Sequence, residues 1–215
     1  MNDLVNFQQP EMAKALIENT ENFNATTEAG GGFFLKMEQK SGDWVYGAED
    51  ELADPESLWA INPASVELGY VCWHRQQLIG RHARPVHEPP IALDELPPLD
   101  HGQEWKPMKK ITLACIEGPN EGVEVTYETS SLGGRRAITG VTDGVIARLK
   151  QGDPDIVPVV KLESYTYKNK EGGLTRNPVF KITAWCDGIN KPLNDLPVLE
   201  EEPAIKPRAR SRSRG

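Results

Sequence analysis

The stretch from Trp59 to Arg84 constrains this chain most, because large rings and cations are interleaved along a strand-like pattern. Asn62-Pro63 is typical of a turn, and the residues from Gly69 to Ile79 predict one long strand. Side chains alternate between the two faces of a strand, so one face would carry Tyr70, Cys72 and His74 and the other Val71, Trp73 and Arg75. Rings on which bases stack, next to cations that meet phosphates, are typical of surfaces that bind single-stranded nucleic acid. The alternative is a bent edge strand whose aromatic side chains serve the core.

Charge limits the kind of nucleic-acid binding that this chain can carry out. The net charge of −8 argues against a protein that coats duplex DNA by bulk charge. The first 58 residues hold 12 acids and three lysines, whereas the last ten residues, KPRARSRSRG, hold five cations and no acid. The central part is therefore closer to neutral, and its cations can form a local basic groove.

Several features indicate where the protein resides. No apolar run approaches the length of a transmembrane helix, and the N-terminus lacks the pattern of a secretory signal. The three cysteines, Cys72, Cys115 and Cys186, are far apart and odd in number, which favours a reducing compartment over a disulfide framework. We therefore expect a cytoplasmic protein, in the host cytoplasm if a phage encodes it, with no membrane partner.

Composition divides the chain into three parts. We expect a flexible N-terminal arm over 1–32, a β domain over 33–187, and a disordered tail with a basic end over 188–215. Inside the domain, the proline-rich segment from Pro85 to Pro107 is incompatible with a core strand or helix, and it predicts a long loop.

The domain contains strand patterns on both sides of a single predicted helix. An apolar stripe at helical spacing predicts this helix; the stripe consists of Ile138, Val141, Val145, Ile146 and Leu149. Gly152 predicts the end of the helix. The resulting order, β-β-β-α-β-β, resembles that of the OB-fold. We therefore expect a mainly β domain, a five-stranded OB-like Greek-key barrel with one helix between strands 3 and 4.

Such a barrel would bring rings and cations from separate stretches to one groove, which the OB-fold uses for oligonucleotides. Arg135 and Arg136 lie in SSLGGRR at the entry to the helix, where backbone N–H groups favour an anion. The complete set of predicted nucleic-acid contacts is Lys36, Trp44, Tyr70, Trp73, Arg75, Arg81, Arg84, Arg135, Arg136, Tyr165, Tyr167, Lys168, Lys170 and Arg176.

Taken whole, the chain resembles the single-stranded DNA-binding proteins encoded by tailed bacteriophages. The resemblance rests on GGGFFLKMEQKSGDWVYG, LWAINPASVELGYVCW, the proline-rich segment, and PVVKLESYTYKN with NPVFKITAWCD. It implies an OB-fold that coats single-stranded DNA during replication or recombination and works with the proteins of those processes. Family members commonly end in an acidic tail that recruits partner enzymes, whereas this chain ends in a basic segment.

No pattern for chemistry stands out. The cysteines and histidines lack zinc spacing, GxSxG is absent, and the P-loop pattern GxxxxGK[ST] is absent. We therefore expect no enzymatic activity, no metal and no cofactor. The alternative function is a virion-associated or protein-interaction β-domain without nucleic-acid binding, docked through its arm and proline-rich loop. A homo-oligomer is compatible with either function.

Overall fold

A computed structural model describes residues 33–168 and 173–187. The predicted arm over 1–32 and the predicted tail over 188–215 lie outside the described residues. The described elements, in chain order, are β1 (Phe33–Met37), β2 (Trp44–Tyr46), β3 (Glu51–Leu52), β4 (Leu58–Ile61), β5 (Glu67–His74), β6 (Gln77–Pro85), β7 (Lys106–Glu117), β8 (Glu124–Thr129), α1 (Leu132–Gln151), β9 (Val157–Lys168) and β10 (Leu174–Cys186). Short 3-10 turns lie at Pro63–Ser65 and Leu93–Glu95.

The strands form one curled, half-barrel sheet in the order β10-β9-β4-β7-β8-β1-β2-β3. Strand β7 is central to this sheet. It has 12 residues, so it is long enough to pair with two shorter strands along one of its edges. Its first half pairs with β5 and its second half with β4, while β8 pairs along the opposite edge. Strand β6 pairs only with β5 among the described strands.

The prediction of a mainly β domain is confirmed, but the strand count and the helix position were wrong. The described sheet has ten strands rather than five, and the helix follows β8 and precedes β9. Part of the difference arises because the predicted strand from Gly69 to Ile79 is a hairpin. It turns at Arg75 and Gln76, whose φ angles are +48° and +67°. Positive φ at both central residues suits a tight hairpin turn, yet neither residue belongs to the types that usually signal one.

The core lies inside the curl of the sheet and is rich in rings. Trp59 of β4 is fully buried, and its neighbour Tyr46 of β2 contacts it at a centroid distance of 6.4 Å. Trp44, Tyr127 and Phe180 form a second ring cluster, with centroid distances of 5.3 to 5.4 Å. The aliphatic residues around them are Leu35, Ile61, Ile111, Leu113, Val125, Ile138, Val141, Val160 and Leu162.

Helix α1 ends where the sequence predicts, but it begins earlier, because the residues from Leu132 to Arg136, predicted to form its entry, already belong to it. Ser131 is its N-cap and accepts a hydrogen bond from the backbone N–H of Gly134 at 3.1 Å. Gly152 is its C-cap in the left-handed region, with φ of +72°, a conformation that glycine adopts without strain. The apolar stripe is narrower than predicted: Ile138, Val141 and Val145 are buried, whereas Ile146 and Leu149 are exposed.

Candidate nucleic-acid interface

The first turns of α1 lie between two grooves, each of which contains a tyrosine and an arginine. Arg135 and Tyr70 line the first groove, together with Lys109. Arg136 and Tyr165 line the second groove. Four predicted contact residues that are far apart in the sequence are therefore brought to the same end of one helix.

The first groove is formed by β5, β7, the proline-rich segment and the start of α1. Tyr70 of β5 is half-buried there, opposite Pro107 of β7. Lys109 of β7 reaches the helix, and its Nζ donates a hydrogen bond to Thr139 Oγ1 at 2.8 Å. Burial lowers the pKa of Lys109, and the positive charge of Arg135 lowers it further, against the attraction of Asp143. The remaining lining residues are Leu68, Gly69, Pro90, Ile91 and Met108.

The second groove lies between α1 and the hairpin of β9 and β10. Gly133 allows the helix to approach Asn177, because a Cβ at that glycine would collide with the Asn177 side chain. Asn177 Nδ2 in turn donates a hydrogen bond to Tyr165 Oη at 2.9 Å. Tyr165 and Tyr167 are neighbours on one face of β9, with ring centroids 6.2 Å apart. Their exposures of 51% and 41% leave both rings open to a stacking partner.

Trp73 and Arg75 lie at the outer end of the hairpin of β5 and β6. Val71 is the last residue of β5 that pairs with β7, so the hairpin continues beyond the three-stranded part of the sheet. Trp73 is 54% exposed, next to exposed Leu78 and Ile79. The end of this hairpin is therefore an apolar surface with one cation at its turn.

Three predicted contact cations are engaged with carboxylates. Lys36 is 2.7 Å from Asp50, a contact that raises the pKa of Lys36 chiefly through its hydrogen bond. Arg84 is 3.2 Å from Glu95. Arg81 contacts Glu67 at 2.8 Å and Glu128 at 2.9 Å. A phosphate would have to compete with these carboxylates for each cation, so these residues are weaker candidates than Arg135 and Arg136.

Glu67 holds this network together, because it also accepts a hydrogen bond from Lys110 at 2.8 Å. Burial raises the pKa of Glu67, but the hydrogen bonds from Lys110 and Arg81 outweigh burial and bring the pKa below its ordinary value. A carboxyl whose pKa is lowered on folding stabilises the fold above its unfolded pKa, and this stability is lost as the pH falls through the folded pKa.

We expect Glu67→Gln to lower the free energy of unfolding by about 1–2 kcal/mol at neutral pH, because it removes charge-assisted hydrogen bonds. The difference from the wild type should shrink as the pH falls below the unfolded pKa of a glutamate, about 4.3. Urea unfolding at a series of pH values measures it. A difference that stays constant down to acidic pH would contradict this role for the charge.

The other predicted contact residues have different environments. Trp44 is buried, and its Nε1 donates a hydrogen bond to the carbonyl oxygen of Glu163 at 3.0 Å, so the ring is part of the core and no base can stack on it in this conformation. Arg176 packs against the turn at Gly42. Lys168 is exposed at the end of β9. Lys170 lies outside the described residues.

The sequence interpretation missed Lys109, the second cation of the first groove. Buried Ile111, Leu113 and Cys115 share the inward face of β7, and Lys109 belongs to the same alternating series. A lysine at an inward position was a usable signal. What the sequence does not indicate is that α1 passes over this position and supplies Thr139 and Arg135.

Among residues 33–168 and 173–187, no helix is both long enough and apolar enough to span a bilayer. Comparisons of the chain with models of protein families, with curated proteins and with solved structures found no match. The resemblance to phage single-stranded DNA-binding proteins therefore stays a prediction.

Proposed function

We propose that this protein binds single-stranded DNA without catalysing a reaction. One observation supports the proposal: two grooves at the start of α1 are lined by rings and cations, namely Tyr70, Arg135, Arg136 and Tyr165. A single strand needs rings for its bases and cations for its phosphates, and both grooves offer this pair. A role in the replication or recombination of phage DNA belongs to the same proposal, on the resemblance described above.

The OB-like interpretation is also part of the proposal. If β4 and β5 are counted as one strand interrupted after Ile61, and β1, β2, β3 and β6 are left out of the count, then β7 and β8 are the second and third strands. Helix α1 comes next, and β9 and β10 close the series. This order is the one expected of the OB-fold, whose central strands and adjoining loops bind oligonucleotides. The extra strands β1, β2, β3 and β6 would then be additions to that core.

The tyrosine pair of β9 provides the sharpest test. We expect the double variant Tyr165→Ala, Tyr167→Ala to bind a labelled oligothymidylate at least about 30-fold more weakly, because each lost stacking ring costs about 1–3 kcal/mol. The matched variant Tyr165→Phe, Tyr167→Phe keeps both rings and should stay within about threefold of the wild type. Fluorescence anisotropy measures both, with a duplex of equal length as the competitor.

Two further conditions belong to this experiment. Both variants should unfold at similar urea concentrations, since the two rings are exposed and contribute little to the core. Binding should weaken with added salt, because phosphate contacts release counterions. Equal affinity of the alanine and phenylalanine variants would remove the tyrosines from the interface, and preference for duplex over single strand would overturn the proposal.

A second candidate function rests on the end of the β5–β6 hairpin. Trp73, Leu78 and Ile79 are all exposed there, and clustered exposed apolar side chains often mark a protein-interaction surface. A virion-associated or protein-interaction domain would use this surface. Absence of DNA binding at low salt, together with self-association that Trp73→Ser abolishes, would favour this second function.

A further inference from the structure

The first groove brings two cations together without a carboxylate in contact with either. Within the described residues, neither Lys109 nor Arg135 has an ion pair within 4.0 Å. This contrasts with Lys110, the next residue of β7, which is 2.8 Å from Glu67. Asp143 attracts Lys109 only from beyond contact distance. Two neighbouring positive charges, with no carboxylate of the described residues within 4.0 Å of either, form a site that an anion would stabilise.

The hydrogen bonds of these two cations hold them in position for a ligand. Thr139 Oγ1 accepts from Lys109 Nζ at 2.8 Å and donates to the carbonyl oxygen of Arg135 at 2.7 Å. A lysine ammonium has three donors, and Thr139 uses one of them. Arg135 Nε donates to the carbonyl oxygen of Ser130 at 3.3 Å, and its Nη groups have no hydrogen bond within the described part of the chain. The N-terminal end of the helix dipole adds further positive potential.

The rest of the groove suits the apolar part of a nucleotide. The ring of Tyr70 lies in the same groove as the two cations, and the other walls come from Leu68, Pro90, Ile91, Pro107 and Met108. The groove holds about 170 Å³, which is less than the 300 to 1,000 Å³ typical of pockets for drug-sized ligands. Its size therefore suits one small unit rather than an extended ligand.

We propose that this groove is a subsite for one nucleotide of the bound strand, with the phosphate between Lys109 and Arg135 and the base against Tyr70. The subsite deepens the proposed function and rests on it for the identity of the ligand. The subsite predicts that Lys109 and Arg135 determine the salt dependence of binding there. Tyr70 contributes affinity that salt does not affect.

The first arm of the test measures salt dependence with the full-length protein and a labelled oligothymidylate. The slope of log K against log salt concentration falls by about 0.7 for each lost phosphate contact with a single strand. We expect the double variant Lys109→Met, Arg135→Gln to lose about 0.7 of that slope, because the subsite holds one phosphate, and about tenfold in affinity at moderate salt. The matched control is Lys161→Met, because Lys161 is paired with Glu56 at 2.9 Å; its slope should equal that of the wild type.

The second arm uses thymidine 5′-monophosphate and thymidine as separate probes of the groove. The monophosphate should raise the melting temperature of the wild type, because a ligand that binds only the folded state stabilises it. Thymidine, which lacks the phosphate, should have a smaller effect. The double variant keeps Tyr70, so it should respond to both probes only as weakly as the wild type responds to thymidine. If the double variant does not fold, Arg135→Gln alone should lower the slope by no more than about 0.7.

The two arms separate the subsite from the proposed function. Strand binding with an unchanged slope in the double variant would overturn the subsite and leave the function standing. Absence of strand binding, with a monophosphate effect that depends on Lys109 and Arg135, would overturn the function and leave the subsite as a nucleotide site. Absence of both effects would overturn both proposals.

Discussion

Trp44→Ala should lower the free energy of unfolding by about 3–5 kcal/mol, the usual cost of removing a buried aromatic side chain. The ring is 3% exposed and lies 5.3 Å from both Tyr127 and Phe180, so its removal leaves a cavity at the centre of the second ring cluster. The indole N–H is also lost as the donor to the carbonyl oxygen of Glu163. Since domains of this size are stable by about 5–15 kcal/mol, the variant should unfold at far lower urea concentrations.

Trp73→Ala is the matched control for this experiment. Trp73 is 54% exposed at the end of a hairpin, so the same chemical change should cost less than about 0.5 kcal/mol, as substitutions on the surface usually do. Urea unfolding followed by circular dichroism compares the two variants without relying on tryptophan fluorescence. If the two variants unfolded at the same urea concentration, the assignment of Trp44 to the core would be wrong.

These two tryptophans show how far the sequence specifies the site. Both occur in strand-like segments next to charged residues, and both were predicted to contact nucleic acid. Alternation indicates that side chains lie on opposite faces of a strand, but it does not indicate which face is covered. The face of Trp44 is covered by Tyr127 and Phe180, residues more than 80 positions away, and no local pattern contains that information.

The helix illustrates the opposite case. Its apolar stripe and the glycine at its end are local signals, and both lie within the segment that they describe. Gly152 accordingly caps the C-terminus of α1 in the structure. The stripe predicts a wider buried face of the helix than the structure has, because Ile146 and Leu149 are exposed. Burial of these positions depends on the width of the sheet beneath them, which is a property of strand pairing.

Arginines were the least predictable part of the site. Arg81 and Arg135 look alike in the sequence, and each follows a glycine within two residues. In the structure Arg81 contacts two carboxylates, from β5 and β8, whereas Arg135 shares a groove with Lys109. Register decides the difference, since Lys110 of β7 is paired directly with both Glu67 and Glu128. A shift of one residue would have given a different network.

Gly69→Ala should be the other strongly destabilising change, at about 3 kcal/mol. Gly69 of β5 is paired directly with Ala83 of β6, and a Cβ at Gly69 would collide with the carbonyl oxygen of His82. The obstacle is backbone rather than a flexible side chain, so relief requires β6 to move away from β5. Because β6 pairs only with β5 among the described strands, this movement would release β6 and the end of the hairpin that carries Trp73, while β5 stays paired with β7 as far as Val71.

Gly140→Ala provides the control, because it is the same substitution at a site with space. A Cβ at Gly140 would meet no heavy atom within 4 Å, and the residue lies in the interior of α1. Alanine is favoured over glycine in a helix by about 0.5–1 kcal/mol, so this variant should be more stable than the wild type. Hydrogen exchange then locates the effect of Gly69→Ala: amides of β5 and β6 should lose protection first, while those of β9 and β10 keep it. Uniform loss of protection across the sheet would mean that the β5–β6 hairpin does not open independently of the rest of the sheet.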